Sequence, residues 1–435
     1  MSAEILTIGM FGMVLVAILS GVSLAFAMGG TAVIFGLLTF GSYGMYSIVT
    51  TMFGSMWSIL LSAIPLFVFI GVALARSKIA HDLYHAFYLW SGRTNGGLLL
   101  GTAGFAATLS AMTGSCAAST MTTGLVGIPA MDKRGYDRSF VLGTIGASGT
   151  LGILIPPSIT LIIIGMQTGQ SVGRLFLGGL VSGLLLLGMF LAYVALRSYM
   201  RPELAPGAVE VAPLRERVRA LRSVFLPLVI ILSVLISIFA GIATPTEAAA
   251  VGAAAVVISV AIRRELNWTY IKTVSYETAA MTGMVIWIVF GASAFIAVYG
   301  GAGGTTFMQN FLRDLDVSPL MMIVILQAVT LVLGMFLDPI GIILLMLPIF
   351  FPIVVELGFD PIWFCILFQL NLCIGYISPP FGYNLFYLKI LSPETPISAI
   401  YRAITPFFLL MLLTGALIFV FPQIITSFTD LPKRL

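Results

Sequence analysis

Two apolar runs of this sequence contain Gly-x-x-x-x-Pro or tighter punctuation ending in a proline pair, at Gly152–Pro157 and Gly375–Pro380. Proline brings no backbone N–H and clashes with the carbonyl four residues back, so each run must break where apolar surroundings make a break costly. The carbonyls released there need a protein donor, a water or a cation. Ahead of the first run, Ser110, Thr113 and Ser115 offer hydroxyl oxygens close to a glycine, Gly114. Free carbonyls plus hydroxyls form a hard-cation site, and Na+ suits such oxygens. Ahead of the second run, the stretch from Gly334 to Asp338 places a carboxylate in the equivalent position. An acid inside an apolar run is expensive and normally functional. It can ligand a cation, carry a proton or pair with a neighbouring donor. No other ionisable residue lies in its run, which favours cation coordination or a role in shaping the turn.

The two runs are copies. Advancing the numbering by 223 carries Pro129 onto Pro352, Gly135 and Asp137 onto Gly358 and Asp360, and Gly152 and Pro157 onto Gly375 and Pro380, with no gap. Broken helices that recur in this way point to a transport site. Composition agrees: 59% of the 435 residues are hydrophobic and only 9% are charged, against about a quarter charged in soluble domains. The chain reads as an all-α polytopic membrane protein. Its net charge of +4 comes from short loops between apolar runs and is no nucleic-acid signal. The absence of a basic leader and cleavage site makes residues 5–40 two retained, rather short spans. Cys116, Cys365 and Cys373 read as buried thiols, and His81 and His85 belong to a charged interfacial helix rather than a metal site.

The elements that must position these groups follow from span lengths of about 20 residues. The first half, 1–198, holds a third span at 47–75, an amphipathic interfacial segment between Arg76 and Arg93, a helical hairpin at 97–130 and a broken helix at 139–166. A polar linker, 199–223, divides the halves. The second half, 224–435, holds an interfacial piece with Trp268 and Lys272, a span at 277–299, and a glycine-rich loop from Gly300 to Ser318. A hairpin at 319–357 and a broken helix at 361–388 follow, and further spans at 175–196 in the first half and at 224–242, 245–262 and 398–422 in the second complete the two halves. Together these give about ten transmembrane helices and two re-entrant hairpins. Each half then has five crossings, and an odd number inverts the second half relative to the first. The basic loops fall on one side only if the first hairpin is re-entrant, which opens it to the cytoplasm and the second to the outside. Both termini fall outside on this scheme, an assignment with which Lys433 and Arg434 do not agree.

Hairpin tips also turn helix N-termini inward, where free N–H groups favour an anionic solute. Thr113, Gly114, Asn371 and Asn384 are the candidate solute contacts. Asp137 and Asp360 sit at equivalent helix starts and read as N-caps, as does Glu247 in Thr244-Pro-Thr-Glu-Ala-Ala-Ala250. That last acid can also contact solute, although a capping role is favoured.

Several runs carry a resemblance: Leu109-Ser-Ala-Met-Thr-Gly-Ser115, Lys133-Arg-Gly-Tyr-Asp137, Gly149-Thr-Leu-Gly-Ile-Leu-Ile-Pro-Pro-Ser158, the Thr244 stretch, and Ile377-Ser-Pro-Pro-Phe-Gly382 with Asn384-Leu-Phe386. Together, over nearly the whole chain, they resemble the large membrane subunit of tripartite ATP-independent periplasmic (TRAP) transporters, in the ion transporter superfamily. The resemblance implies an elevator-type, Na+-coupled secondary transporter of organic acids such as C4-dicarboxylates or sialic acid, in a bacterial inner membrane. It implies a small four-helix membrane subunit and a periplasmic binding protein as partners, with no cofactor beyond Na+ as coupling ion. The chain opens directly on the large subunit's first span, as in members without a fused small subunit. One Na+ site would match Ser110 and Ser115 with backbone at Gly152, Ile155 and Pro157. A second would fall at Gly334 and Asp338 with Cys373, Tyr376 and Ser378. A stand-alone dicarboxylate or anion transporter of the same architecture, coupled to Na+ or H+, is the alternative. An intramembrane protease would need paired aspartates or a Ser–His pair at membrane depth, and Asp338 has no such partner in its run.

Overall fold

A computed structural model describes residues 2–92, 94–207 and 213–430. The described residues are helical throughout, joined by short turns. The first half comprises α1 (Ala3–Leu19), α2 (Leu24–Phe40), α3 (Ser42–Met56), α4 (Ile59–Arg76) and α5 (Lys78–Trp90). It continues with α6 (Gly97–Thr113), α7 (Cys116–Asp132), α8 (Arg138–Gly149), α9 (Ile159–Thr168) and α10 (Val172–Met200). The second comprises α11 (Leu214–Phe239), α12 (Pro245–Ile262), α13 (Trp268–Gly301), α14 (Gly304–Arg313) and α15 (Pro319–Gly334). It ends with α16 (Pro339–Glu356), α17 (Pro361–Gly375), α18 (Tyr383–Leu391), α19 (Ile397–Val420) and α20 (Gln423–Thr429). Six of these, α4, α10, α12, α13, α16 and α19, are long and apolar enough to cross a membrane by themselves. Of the others, α11 is 26 residues long, and α1 and α2, at 17 residues each, reach about 25 Å.

Both expected hairpins form, as α6–α7 and α15–α16, and both apolar runs break, between α8 and α9 and between α17 and α18. The peptide bonds Pro156–Pro157 and Pro379–Pro380 are both cis. Advancing the first hairpin by 223 lays it on the second to within two residues, and the broken helices coincide to within three. The caps expected at the equivalent aspartates are present: Phe140 N donates to Asp137 Oδ1 at 2.8 Å and Trp363 N to Asp360 Oδ1 at 2.7 Å. Glu247 closes a capping box with Thr244, whose backbone N donates to its carboxylate at 2.8 Å.

Arg138, in the first turn of α8, pairs at 2.7 Å with Glu394, just beyond the end of α18. Arg174 at the start of α10 pairs at 2.7 Å with Asp430 at the end of α20. Trp363 in the first turn of α17 donates to Ile418 O, near the end of α19, at 2.8 Å. The start of the first broken helix therefore lies beside the finish of the second.

Four expectations about elements are corrected. The span at 47–75 is cut at Trp57–Ser58 into α3 and α4, although no proline or glycine marks the cut. Its counterpart is one 34-residue helix, α13, so the interfacial piece around Trp268 and Lys272 and the span at 277–299 are continuous. The loop from Gly300 to Ser318 contains α14, the counterpart of α5; Gly303, at φ 79°, turns the chain and α14 restarts at once on Gly304. The linker at 199–223 is shorter than expected, because α11 starts at Leu214, where Leu214, Val218 and Leu221 recur on one side among arginines. Residues 208–212 of that linker lie outside the described residues.

Candidate functional site

Each hairpin tip rests on the break that follows it, backbone against backbone. In the first half the tip is Gly114, at φ 60°, followed by Ser115, whose side chain caps α7 by accepting from Ala118 N at 3.4 Å. A side chain on Gly152 would begin 2.7 Å from Ser115 C and 2.8 Å from Cys116 N, and one on Gly114 would begin 2.5 Å from Pro157 O. Only glycine permits that approach. In the second half a side chain on Gly375 would begin 2.8 Å from both Cα and O of Gly334. Gly375 is the copy of Gly152, and Asp338, the copy of Ser115, likewise caps its helix, accepting from Ile340 N at 3.1 Å. Each break thus meets its own hairpin tip, the first at the start of α7 and the second at the end of α15.

The hydroxyls are oriented by further bonds. Ser110, fully buried, donates to Ser119 Oγ at 2.9 Å, and Ser119 donates on to Ala106 O at 3.0 Å. The proton of Ser110 is thereby spent and its oxygen lone pairs remain open. At the first break, Ile153 O accepts from Ser158 Oγ at 2.5 Å and from Gln369 Nε2 of α17 at 2.6 Å. Gln369 therefore ties one broken helix to the other, while its amide oxygen is buried without a partner among the described residues. Ile155 is buried, its N–H bonded to Leu151 O at 2.8 Å.

A cavity of about 560 Å3 lies between the tips. Gly114–Ala117 of the first tip, Asp338–Ile340 of the second, Ile153 and Thr160 of the first break, and Tyr376, Tyr383 and Tyr387 around the second form one wall. The opposite wall is α2, from Ser23 to Phe26, with Met281, Met284 and Trp287 of α13 and Val68 of α4. Among the described residues, no lysine, arginine or histidine lines it.

The cavity gathers Gly114, Ser115, Asp338 and Tyr376 from the sequence-based candidates. Ser110, Gly152, Ile155 and Pro157 stand behind the first tip, and Gly334 stands behind the second. Cys373 and Ser378 are fully buried away from the cavity lining, the Ser378 hydroxyl donating to Ile374 O at 2.7 Å. Thr113 faces backward too, bonded to Leu109 O at 2.9 Å. Asn371 turns to the far side of α17, where its Nδ2 donates to Gln327. Asn384 is fully buried between helices: its Nδ2 donates to Gly146 O at 2.8 Å and its Oδ1 accepts from Thr120 Oγ1 at 3.1 Å. Thr160, Tyr383, Tyr387, Trp287 and Gln369 carried no mark of their own, whereas the repeat already marks Gly375 as the copy of Gly152.

The bonds of Asn384 join α18 to α7 and α8 and give a first prediction. Asn384→Leu strands two buried polar groups at roughly 1–3 kcal/mol each. The detergent-purified protein should melt at a clearly lower temperature, whereas Asn371→Leu, at the outer face, should leave solute uptake intact.

A family model, "Tripartite ATP-independent periplasmic transporter, DctM component", matches residues 11–424. This chain belongs to that family. The permease is 32% identical over 439 residues to the C4-dicarboxylate TRAP transporter large permease protein DctM of Rhodobacter capsulatus, covering 97% of this chain and 98% of that one. It is equally 32% identical, over 379 residues, to the DctM protein of Pseudomonas aeruginosa, covering 86% and 87% of the two chains. Among solved structures, the Alcanivorax borkumensis YdaH transporter superposes with a TM-score of 0.62 over 94% of this chain and 98% of that chain, at 16% identity. That likeness concerns the fold. The permease is therefore a multi-pass inner-membrane transporter subunit and not an enzyme, and it works with a small membrane subunit and a periplasmic binding protein. The stand-alone transporter and the protease both give way to this assignment.

Proposed function

We propose that the permease carries an organic acid into the cell by Na+-coupled elevator transport. The solute, of the C4-dicarboxylate or sialic acid kind or a similar carboxylate, arrives from the periplasmic binding protein. The observation that carries this reading is the doubled contact of tip and break around one cavity, Gly152 on Ser115 and Gly375 on Gly334. On this reading the two halves are inverted repeats, with both termini on the periplasmic side. The hairpins and broken helices form a moving unit. The helices α2, α4 and α13 form, with the four-helix small subunit, the scaffold it slides against.

The first Na+ would be held by the hydroxyls of Ser110 and Ser115 and the carbonyls of Gly152, Ile155 and Pro157. The second would be held by Asp338 and the carbonyl of Gly334 at the tip, with Cys373, Tyr376 and Ser378 at the break. Each Na+ bridges a tip to its break, so binding closes the gate and cation release loosens it. A solute carboxylate is held by the N–H groups that open α7. Because differential affinity alone shifts the two states, transport follows the ion gradient.

The test is uptake into proteoliposomes holding the permease and small subunit, with the binding protein outside. Accumulation should require an inward Na+ gradient and all three proteins. Full uptake by the isolated chain in Na+-free buffer would contradict the reading.

A further inference from the structure

At 26 residues α11 is about 39 Å long, more than the roughly 30 Å of a bilayer's hydrocarbon core. Its charges, Arg215, Glu216, Arg217, Arg219 and Arg222, all fall before residue 223, and none follows as far as Phe239. The first turns therefore stand at the level of the lipid headgroups, and the remainder lies in the hydrocarbon. One apolar stripe nevertheless runs the whole length. Leu214, Val218, Leu221 and Phe225 recur at intervals of three or four, and Leu232 and Ile236 continue the same line. Leu214 is 68% exposed, Phe225 68% and Ile236 59%, so no described element covers that stripe.

Beside the stripe, Arg215 and Arg219 stand about one turn apart, and both are exposed. Neither makes an ion pair among the described residues, and Glu216, the one acid of α11, leaves both unpaired. A groove of about 740 Å3 follows these turns, and among the described residues its lining is Leu214, Arg215, Val218 and Arg219. Cationic and apolar groups thus share one wall. Trp90, at the end of α5, marks the same level: its indole is half-exposed, and its Nε1 donates to Arg217 O at 3.2 Å. An indole, apolar in body with one polar N–H, is the side chain that favours the boundary between headgroups and acyl chains. A free phosphate or a soluble acidic partner would use the arginines alone and leave Leu214 and Val218 in water.

We propose that the first turns of α11 bind an anionic phospholipid of the surrounding bilayer. Its phosphate sits between Arg215 and Arg219, and its acyl chains lie along Leu214, Val218 and Leu221 toward Phe225. Arginine suits the phosphate because its guanidinium presents several donors in one plane and stays charged. The aliphatic stems of both residues let the charged heads reach the phosphate from beside the stripe. A zwitterionic lipid brings its own ammonium against the same arginines and is disfavoured.

Native mass spectrometry of the permease–small subunit complex in detergent, titrated with dioleoyl phosphatidylglycerol or dioleoyl phosphatidylcholine, tests this. Neither Na+ nor solute is needed, so the outcome is separate from that of the transport test. The first phosphatidylglycerol should bind about thirtyfold more tightly than phosphatidylcholine, the effect of two arginines at a headgroup. Arg215→Gln with Arg219→Gln should reduce that preference to within about threefold. Lys133→Gln, which removes an exposed charge at the end of α7, should leave it intact. Leu214→Ser with Val218→Ser should weaken both lipids, and an excess of inorganic phosphate should displace neither. Equal binding of the two lipids, as when the small subunit covers the stripe, would overturn the proposal. So would a preference that survives loss of both arginines, an equal loss in Lys133→Gln, unchanged binding without Leu214 and Val218, or displacement by inorganic phosphate.

Discussion

Gly152→Ala is expected to cut Na+-driven uptake by more than about tenfold in a protein that still folds. The new methyl would begin 2.7 Å from Ser115 C, so tip and break must separate. Overpacking of this kind costs roughly 1–3 kcal/mol, enough to hold open the contact from which the proposed first cation site is built. Gly375→Ala should do the same at the second tip, where the methyl would begin 2.8 Å from Gly334 O. Gly188→Ala, on α10 with nothing within 4 Å, is the matched control and should transport normally. Uptake and melting temperature measured together separate the outcomes. Equal uptake by Gly152→Ala and Gly188→Ala would remove the tip–break contact from the mechanism.

The second large effect lies on the seam between the proposed moving unit and its scaffold. Gly71 of α4 faces the first tip so closely that a side chain there would begin 2.7 Å from Thr113 O and 2.8 Å from Thr113 Cα. Gly341 of α16 packs likewise against Leu24 of α2. Gly71→Leu cannot be seated in this arrangement, so the moving unit is driven toward the other one. Uptake should fall about tenfold or more, since a shift of 1.4 kcal/mol already changes the population ratio tenfold. The labelling of an Ala117→Cys reporter by a membrane-impermeant maleimide should change in the same variant. A rigid channel would lose flux without any change in labelling.

The parts of this architecture that break apolar runs were legible in the sequence, because a break at membrane depth demands proline, glycine and hydroxyls. The hairpins, both broken helices and the caps at Asp137, Asp360 and Glu247 were found on that ground. Elements lacking such marks were not. α3 and α4 part at Trp57–Ser58, where residue types give no warning. α14 was hidden by Gly300, Gly301, Gly303 and Gly304, although its counterpart α5 could have exposed it. The far wall of the cavity was unreadable because Met281, Met284 and Trp287 look like any lipid-facing stretch until α13 lies against α2. Asn371 and Asn384 have the chemistry of solute contacts, but helix packing gives one to Gln327 and the other to Gly146 and Thr120.

The central claim is motion of the hairpins and broken helices as one unit past α13. It is tested most directly by spin labels at Lys133→Cys, exposed at the end of α7, and Tyr276→Cys, exposed on α13. The native Cys116, Cys365 and Cys373 are buried. In the reconstituted assembly, double electron–electron resonance should give two distance populations whose weights shift when Na+ and solute are added. One distance, unchanged by either, would contradict the account.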